Sequence, residues 1–164
     1  MNKLKNMIFA ILLFFMVAPL NAGAMDEKLK QEIIDTINKK MDQIILYAEA
    51  VNADKMLADI AHDKDSAFFA SRQKYGADRL IEAFRGMYAG MKGQDIAVMS
   101  SKVLVLGPEA AVWIATIKDV TENRESLKEQ ETLMETWVWQ KIDGAWKVVH
   151  YHESAFRPIE ETTE

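Results

Sequence analysis

The spacing of apolar residues in this chain changes once, at Gly93, from intervals of three and four to intervals of two. That switch limits the fold more than any other feature, because a helix presents one face every 3.6 residues and a strand every second residue. From Leu29 to Val51 the residues Ile33, Ile34, Ile37, Met41, Ile44, Ile45 and Ala48 mark one face of a long amphipathic helix, and Asn52 ends it. A short second helix fits "ADKMLADIA", with Met56, Leu57 and Ile60 inward. "HDKD" breaks it before a brief apolar strand, "AFFA". "GADRLIEAFRGMYAGMK" repeats the helical spacing through Leu80, Ile81, Phe84, Met87, Tyr88 and Met91, and Gly93 stops it.

Beyond Gly93, "IAVMSSKVLVL" and "AAVWIATIKDV" read as strands joined at "GPE", and "TENRESLKEQ" as an exposed loop. "ETWVWQKI" and "AWKVVHYHES" then form a hairpin about "DG", the strongest short-range turn signal in the chain. Helices first and a four-strand antiparallel meander after them define an α+β domain with the helices on one face of the sheet. No internal repeat is present.

The first 24 residues differ in kind. Lys3 and Lys5 precede an apolar run from Met7 to Ala18, and small residues at Ala22 and Ala24 follow, the three-part layout of a secretory signal peptide cleaved before Met25. An apolar core of about a dozen residues is shorter than the roughly 20 that a spanning helix needs, so export and removal are expected, with no stable membrane anchor afterwards. A periplasmic or secreted location follows. The chain has no cysteine, which excludes a disulfide and a lipid-modified cysteine at the cleavage point.

About 140 residues then remain, room for one domain over 25–156 and a disordered acidic tail over 157–164, "RPIEETTE" from Arg157 onward. This remainder carries 18 basic and 25 acidic side chains, a net of −7. Nucleic acid and anionic lipid, which need clustered Lys and Arg, are not expected partners.

The hairpin carries a family pattern. E-T-x-V-W, D-G-x-W and V-H-x-H-x-S fall on Glu135, Thr136, Val138, Trp139, Asp143, Gly144, Trp146, Val149, His150, His152 and Ser154, and "VLGPEAAV" precedes them. The pattern resembles the closing strands of the nuclear transport factor 2-like superfamily, most closely its SnoaL-like branch and the association domain of calcium/calmodulin-dependent protein kinase II. The resemblance implies a cone, also called a cystatin-like fold. In it a curved antiparallel sheet wraps the N-terminal helices, leaves an apolar cavity at the open end and pairs with a second copy as a homodimer. Activity is not implied, because one such fold hosts many chemistries.

The hairpin turn decides which side chains share the cavity, since a slip of one residue turns a whole strand over. A three-residue loop "IDG" pairs Lys141 with Ala145. It groups Trp137 and Trp139 with Val149, Tyr151 and Glu153, leaving Trp146, Val148, His150 and His152 on the other face, with Trp146, Val148 and His150 as the expected dimer contact. A two-residue "DG" loop sets the histidines beside Trp137 and Trp139. The first is the arrangement that resembles the family. On it the expected lining is Tyr47, Phe69, Phe84, Tyr88, Met91, Trp113, Ile117, Trp137, Trp139, Tyr151 and Glu153.

Glu153 is the candidate general acid or base in such a lining, with Tyr151 and Tyr88 as hydrogen-bond donors. His150 and His152 point the same way on one strand, but zinc needs a third protein ligand, and His62 and Glu135 are the only nearby candidates, so no metal site is expected. No Ser-His-acid order, phosphate-binding glycine loop or H-E-x-x-H stretch appears, and no cofactor is implied. Ketosteroid isomerase-like relatives place a general-base aspartate on the first strand, which here reads "AFFA" with Asp65 before it. Where the resemblance to the kinase association domain puts pocket arginines, this chain has Ile117, Trp137 and Glu153. The expected function is binding of a small apolar or aromatic molecule. A proton-transfer enzyme (isomerase, cyclase or dehydratase) and a purely structural oligomerisation module are the alternatives.

Overall fold

The computed structural model describes residues 25–156. The expected signal peptide and acidic tail lie outside these residues. Helix α1 spans Glu27–Glu49 and is opened by Asp26, whose side chain accepts from Lys28 N at 3.1 Å. It buries Ile33, Ile37, Met41, Ile44 and Ala48, the stripe that the spacing describes. Asn52 caps the next helix, α2 (Ala53–Met56), and does not merely end the first. Only this one turn of "ADKMLADIA" is helical. Ile60 makes a single parallel bridge to the last strand, where Asp59 O accepts from Val148 N (2.8 Å) and Ala61 N donates to Val148 O (2.9 Å).

Strand β1 (Ala67–Ala70) turns tightly into β2 (Gln73–Tyr75), a strand too short and polar to show a period. Helix α3 spans Ala77–Ala89 and stops at Gly90, so Met91 belongs to the following strand and Gly93 lies within it. Strands β3 (Met91–Gly107), β4 (Ala110–Asn123), β5 (Lys128–Ile142) and β6 (Ala145–Phe156) form the meander. The sheet has six strands rather than four, ordered β2-β1-β6-β5-β4-β3, because the β1–β2 hairpin adds to the free edge of β6 with β1 parallel to it. The fold is α+β, with the sheet open and mixed. Register shifts in β3 at Met91/Gly93, Val98/Ser100 and Val105/Gly107 bend its long outer strand.

The closing hairpin combines both registers. Ile142 pairs with Ala145 around Asp143 and Gly144, whose positive φ values of 50° and 80° mark a two-residue turn, not the three-residue loop. A bulge then intervenes: Trp139 pairs with Val148 but Val138 pairs with His150, leaving Val149 as the extra residue. Beyond the bulge the facing of the three-residue reading returns, with Trp137 opposite Tyr151 and Glu135 opposite Glu153. Before it, Trp146 and Val148 point inward and are 9% and 1% exposed, so neither is available as a dimer contact. The backbone groups of Val148 serve residues 59–61, which gives the bulge its local purpose.

Trp113 and Trp139 pack with Ile37 and Leu57 in the same buried core, at 2% and 0% exposure for the two tryptophans. These rings fill the cone and do not line its void. Among the described residues no helix is long and apolar enough to cross a membrane.

Candidate functional site

Alternation along β4 and β5 sends odd-numbered residues inward, and towards the open end of the cone those residues change from apolar to acidic. Ile117 is followed by Asp119 on β4, and Trp137 is preceded by Glu135 and Glu131 on β5. The void beside them encloses about 480 Å³, within the range of pockets that hold small molecules. Met41, Ile44, Ile45 and Ala48 of α1 line one wall, and Phe84, Met87 and Tyr88 of α3 another. Ser71 and Tyr75 contribute from the β1–β2 hairpin.

Of the expected lining, Phe84, Tyr88, Met91, Ile117, Trp137, Tyr151 and Glu153 surround this void. Trp113 and Trp139 do not, for the reason given above. Tyr47 instead borders a separate groove between α1 and α2, with the Lys55 ammonium 5.5 Å from its ring centroid. Phe69 lies against the rings of His150 (5.8 Å) and His152 (6.0 Å), outside the void, because Phe68 takes the inward position on β1. Among the described residues no three His, Cys, Asp or Glu side chains gather as a metal site. His62 Nδ1 lies 3.0 Å from Asp78, far from the other two histidines in role.

The polar centre is a line of three side chains. Glu153 accepts from Ser71 N at 3.1 Å through Oε1 and from the Tyr151 hydroxyl through Oε2. The same hydroxyl lies 3.4 Å from Glu135 Oε1, and Glu135 Oε2 accepts from Trp137 Nε1 at 2.9 Å. The Trp137 and Tyr151 rings pack with centroids 4.2 Å apart at a tilt of 43° and hold the line against the wall. Burial pushes the Glu135 carboxyl up to about 7, with the charge of Glu153 adding to the rise and the Trp137 and Tyr151 hydrogen bonds opposing it. Burial also raises Tyr151 and Tyr88 well above the ordinary phenol range, so both stay protonated donors.

A phenol has one proton, so Tyr151 cannot donate to both carboxyls at once. When Glu135 is protonated, its Oε1 donates to the Tyr151 oxygen while Tyr151 donates to Glu153. When Glu135 is ionised it becomes an acceptor. The line therefore links an acid and a base on one wall. Tyr88 donates to Met56 Sδ at 3.0 Å, a weak acceptor that a ligand oxygen can replace.

Asp119, at 9% exposure, accepts from Gln94 Nε2 at 2.9 Å through Oδ2. Asp119 Oδ1 and Gln94 Oε1 are buried with no hydrogen-bond partner among the described residues. Burial raises the Asp119 pKa above the usual carboxylate range, against the opposing effect of the Gln94 bond.

Glu135 and Asp119 were absent from the expected lining. Their parity placed them there, two residues from Trp137 and from Ile117, but charge on a strand ordinarily marks the solvent side.

The architecture is an α+β cone whose apolar cavity turns acidic towards one end. The SnoaL-like domain family matches over residues 37–158, and the chain belongs to it. No curated protein sequence matches. Among solved structures, a nuclear transport factor 2-like superfamily protein from Salmonella enterica serovar Typhimurium is 21% identical, with a TM-score of 0.67 over 84% of this chain and 98% of that one. A putative calcium/calmodulin-dependent protein kinase II association domain from Xanthomonas campestris is 16% identical, with a TM-score of 0.66 over 76% and 88%. A putative scytalone dehydratase from Novosphingobium aromaticivorans is 12% identical, with a TM-score of 0.68 over 80% and 89%. At these identities the likeness is one of fold.

Proposed function

We propose that the chain is an exported domain that takes a small, mainly apolar molecule into its cone and moves a proton on it through Glu135, Tyr151 and Glu153. The observation behind this reading is the hydrogen-bonded line itself: two carboxyls joined by one phenol on the wall of an otherwise largely apolar void. With a pKa of about 7, Glu135 is present in both forms near neutrality, the condition for general acid and base work at that pH. Glu153, accepting at both oxygens, is its partner, so the base role expected for Glu153 alone is shared.

Eliminations and isomerisations suit such a wall. One carboxylate takes a proton from carbon, and a proton given to a departing hydroxyl releases water and leaves a double bond. The fold likeness to a putative scytalone dehydratase supports the same class. Export rests on the leader over residues 1–24. Pairing of two copies through the outer sheet face rests on Ile114 and Met134, which are 40% and 51% exposed on adjacent strands.

The test uses 5-nitrobenzisoxazole, a flat apolar molecule whose ring opens when a base removes one proton. Saturable opening by the protein, with a rate that rises through about pH 7 and drops about 100-fold in Glu135→Gln, is the expected result. Saturable binding without opening reduces the reading to a ligand-binding domain. Neither binding nor opening removes the proton-transfer reading and leaves a structural module.

A further inference from the structure

We infer that the cavity is built for a hydrophobic amine, an organic cation whose ammonium meets Asp119 while its carbon body lies against Phe84, Tyr88 and Trp137. This rests on the cavity being a ligand site, as proposed above, and adds the charge of the ligand.

The sheet places acids directly opposite each other twice within this one void. Asp119 faces Glu131 across β4 and β5, and Glu135 faces Glu153 across β5 and β6. Like charges in that position are destabilising. A proton on Glu135 relieves the second pair, and the first is left to a cation. Among the described residues no Lys, Arg or His lines the void. The nearby lysines are spent elsewhere: Lys92 and Lys128 lie 2.6 and 3.6 Å from Glu122, which is not part of the lining.

The second, separate observation is the pair of empty acceptors. Asp119 Oδ1 and Gln94 Oε1 are both buried on this wall, and neither receives a hydrogen bond among the described residues. Buried acceptors without donors are rare and costly. A ligand that brings several N–H donors and a positive charge answers both deficits, whereas a neutral hydrocarbon answers neither and an anion worsens the first. The Asp119 carboxyl is held at one oxygen only, by Gln94, and its last torsion is a soft one, so a turn that exchanges this bond for the ligand brings an oxygen into the void. Aromatic faces complete the fit, since Phe84, Tyr88 and Trp137 offer the ring surfaces on which organic cations rest.

Titration calorimetry with three molecules of one shape tests the inference: 2-phenylethylamine, 2-phenylethanol and phenylacetate, at pH 7. The amine is expected to bind about tenfold more tightly than the alcohol, with phenylacetate weakest. In Asp119→Asn the tenfold preference of amine over alcohol disappears. The wild-type series stands by itself if that variant does not fold. An alcohol that binds as tightly as the amine, or an amine that does not bind, overturns the inference. Ring opening of 5-nitrobenzisoxazole is independent of both results, so proton transfer can stand while the amine fails, or the reverse.

Discussion

Glu135 and Glu153 sit directly opposite each other across the β5–β6 ladder, and the Tyr151 hydroxyl lies within reach of both. In an ordinary sheet such a pair weakens the strands that carry it. Here one proton on Glu135 removes a charge and supplies the donor that Tyr151 lacks. The same proton is the one available for chemistry, so the stability of the hairpin and the state of the site are tied to a single titration.

That tie fixes a pH dependence of folding. The Glu135 carboxyl titrates at about 7 in the folded chain against an ordinary 4.5, so the native state holds its proton more tightly. The resulting stabilisation is fully present below about pH 4.5 and is lost as pH rises through about 7, amounting to at most on the order of 3 kcal/mol from this group. Urea midpoints should therefore fall between pH 5 and pH 8. Glu135→Gln, whose amide can accept from Trp137 and donate to Tyr151 as the protonated acid does, should flatten that change. Equal slopes in the two proteins would place the coupling elsewhere.

Tyr151→Phe removes the hydroxyl and keeps the ring that packs against Trp137. Glu135 then loses one of the two hydrogen bonds that hold its pKa down, so its titration moves above about 7. The rate of 5-nitrobenzisoxazole opening should fall about tenfold or more, with its inflection shifted to higher pH, and stability should drop by about 1 kcal/mol. A pH–rate profile unchanged in height and position would take Tyr151 out of the proton path.

The apolar periods were enough to reveal α1, α3, the meander and the turn at Asp143 and Gly144, because each depends on neighbours close in sequence. The bulge at Val149 left no such mark. Its run, "WKVVHYH", is apolar on both faces, so the pattern leaves two whole-strand registers open, the three-residue one favoured only by resemblance to the family, and the chain uses one on each side of an inserted residue. What fixes the insertion is distant in sequence: residues 59–61 bonding to Val148. The rings were over-counted as lining for a related reason. Alternation identifies the inner face but not how far along the cone the helices fill it, so Trp113 and Trp139 fell in the packed part and Trp137 in the hollow.

The turn below that bulge can be tested at Gly144, which has a φ of 80° and no atom within 4 Å of where a Cβ would stand. Only backbone strain separates glycine from alanine there. Gly144→Ala should cost about 1 kcal/mol in a chemical-denaturation experiment and leave ligand affinity unchanged, because the cavity lies beyond the bulge. A larger loss, with altered binding, would mean that the turn sets the register of Glu135 and Glu153 directly.

The proposed pairing of two copies makes its own demand on the outer face. Trp146 and Val148 are buried inside the cone, so a sheet-to-sheet contact must use the residues that do point outward, with Ile114 opposite Thr136 and Met134 opposite Thr116. Ile114→Lys and Met134→Lys place charge on that face without touching the core, and each should change monomer stability by no more than about 0.5 kcal/mol. A stable contact buries roughly 800 Å² per copy, and an unpaired ammonium at its centre is not tolerated. Light scattering should show twice the chain mass for the wild type and a single chain for either variant. A monomeric wild type, or a dimer indifferent to both lysines, would move the contact off this face.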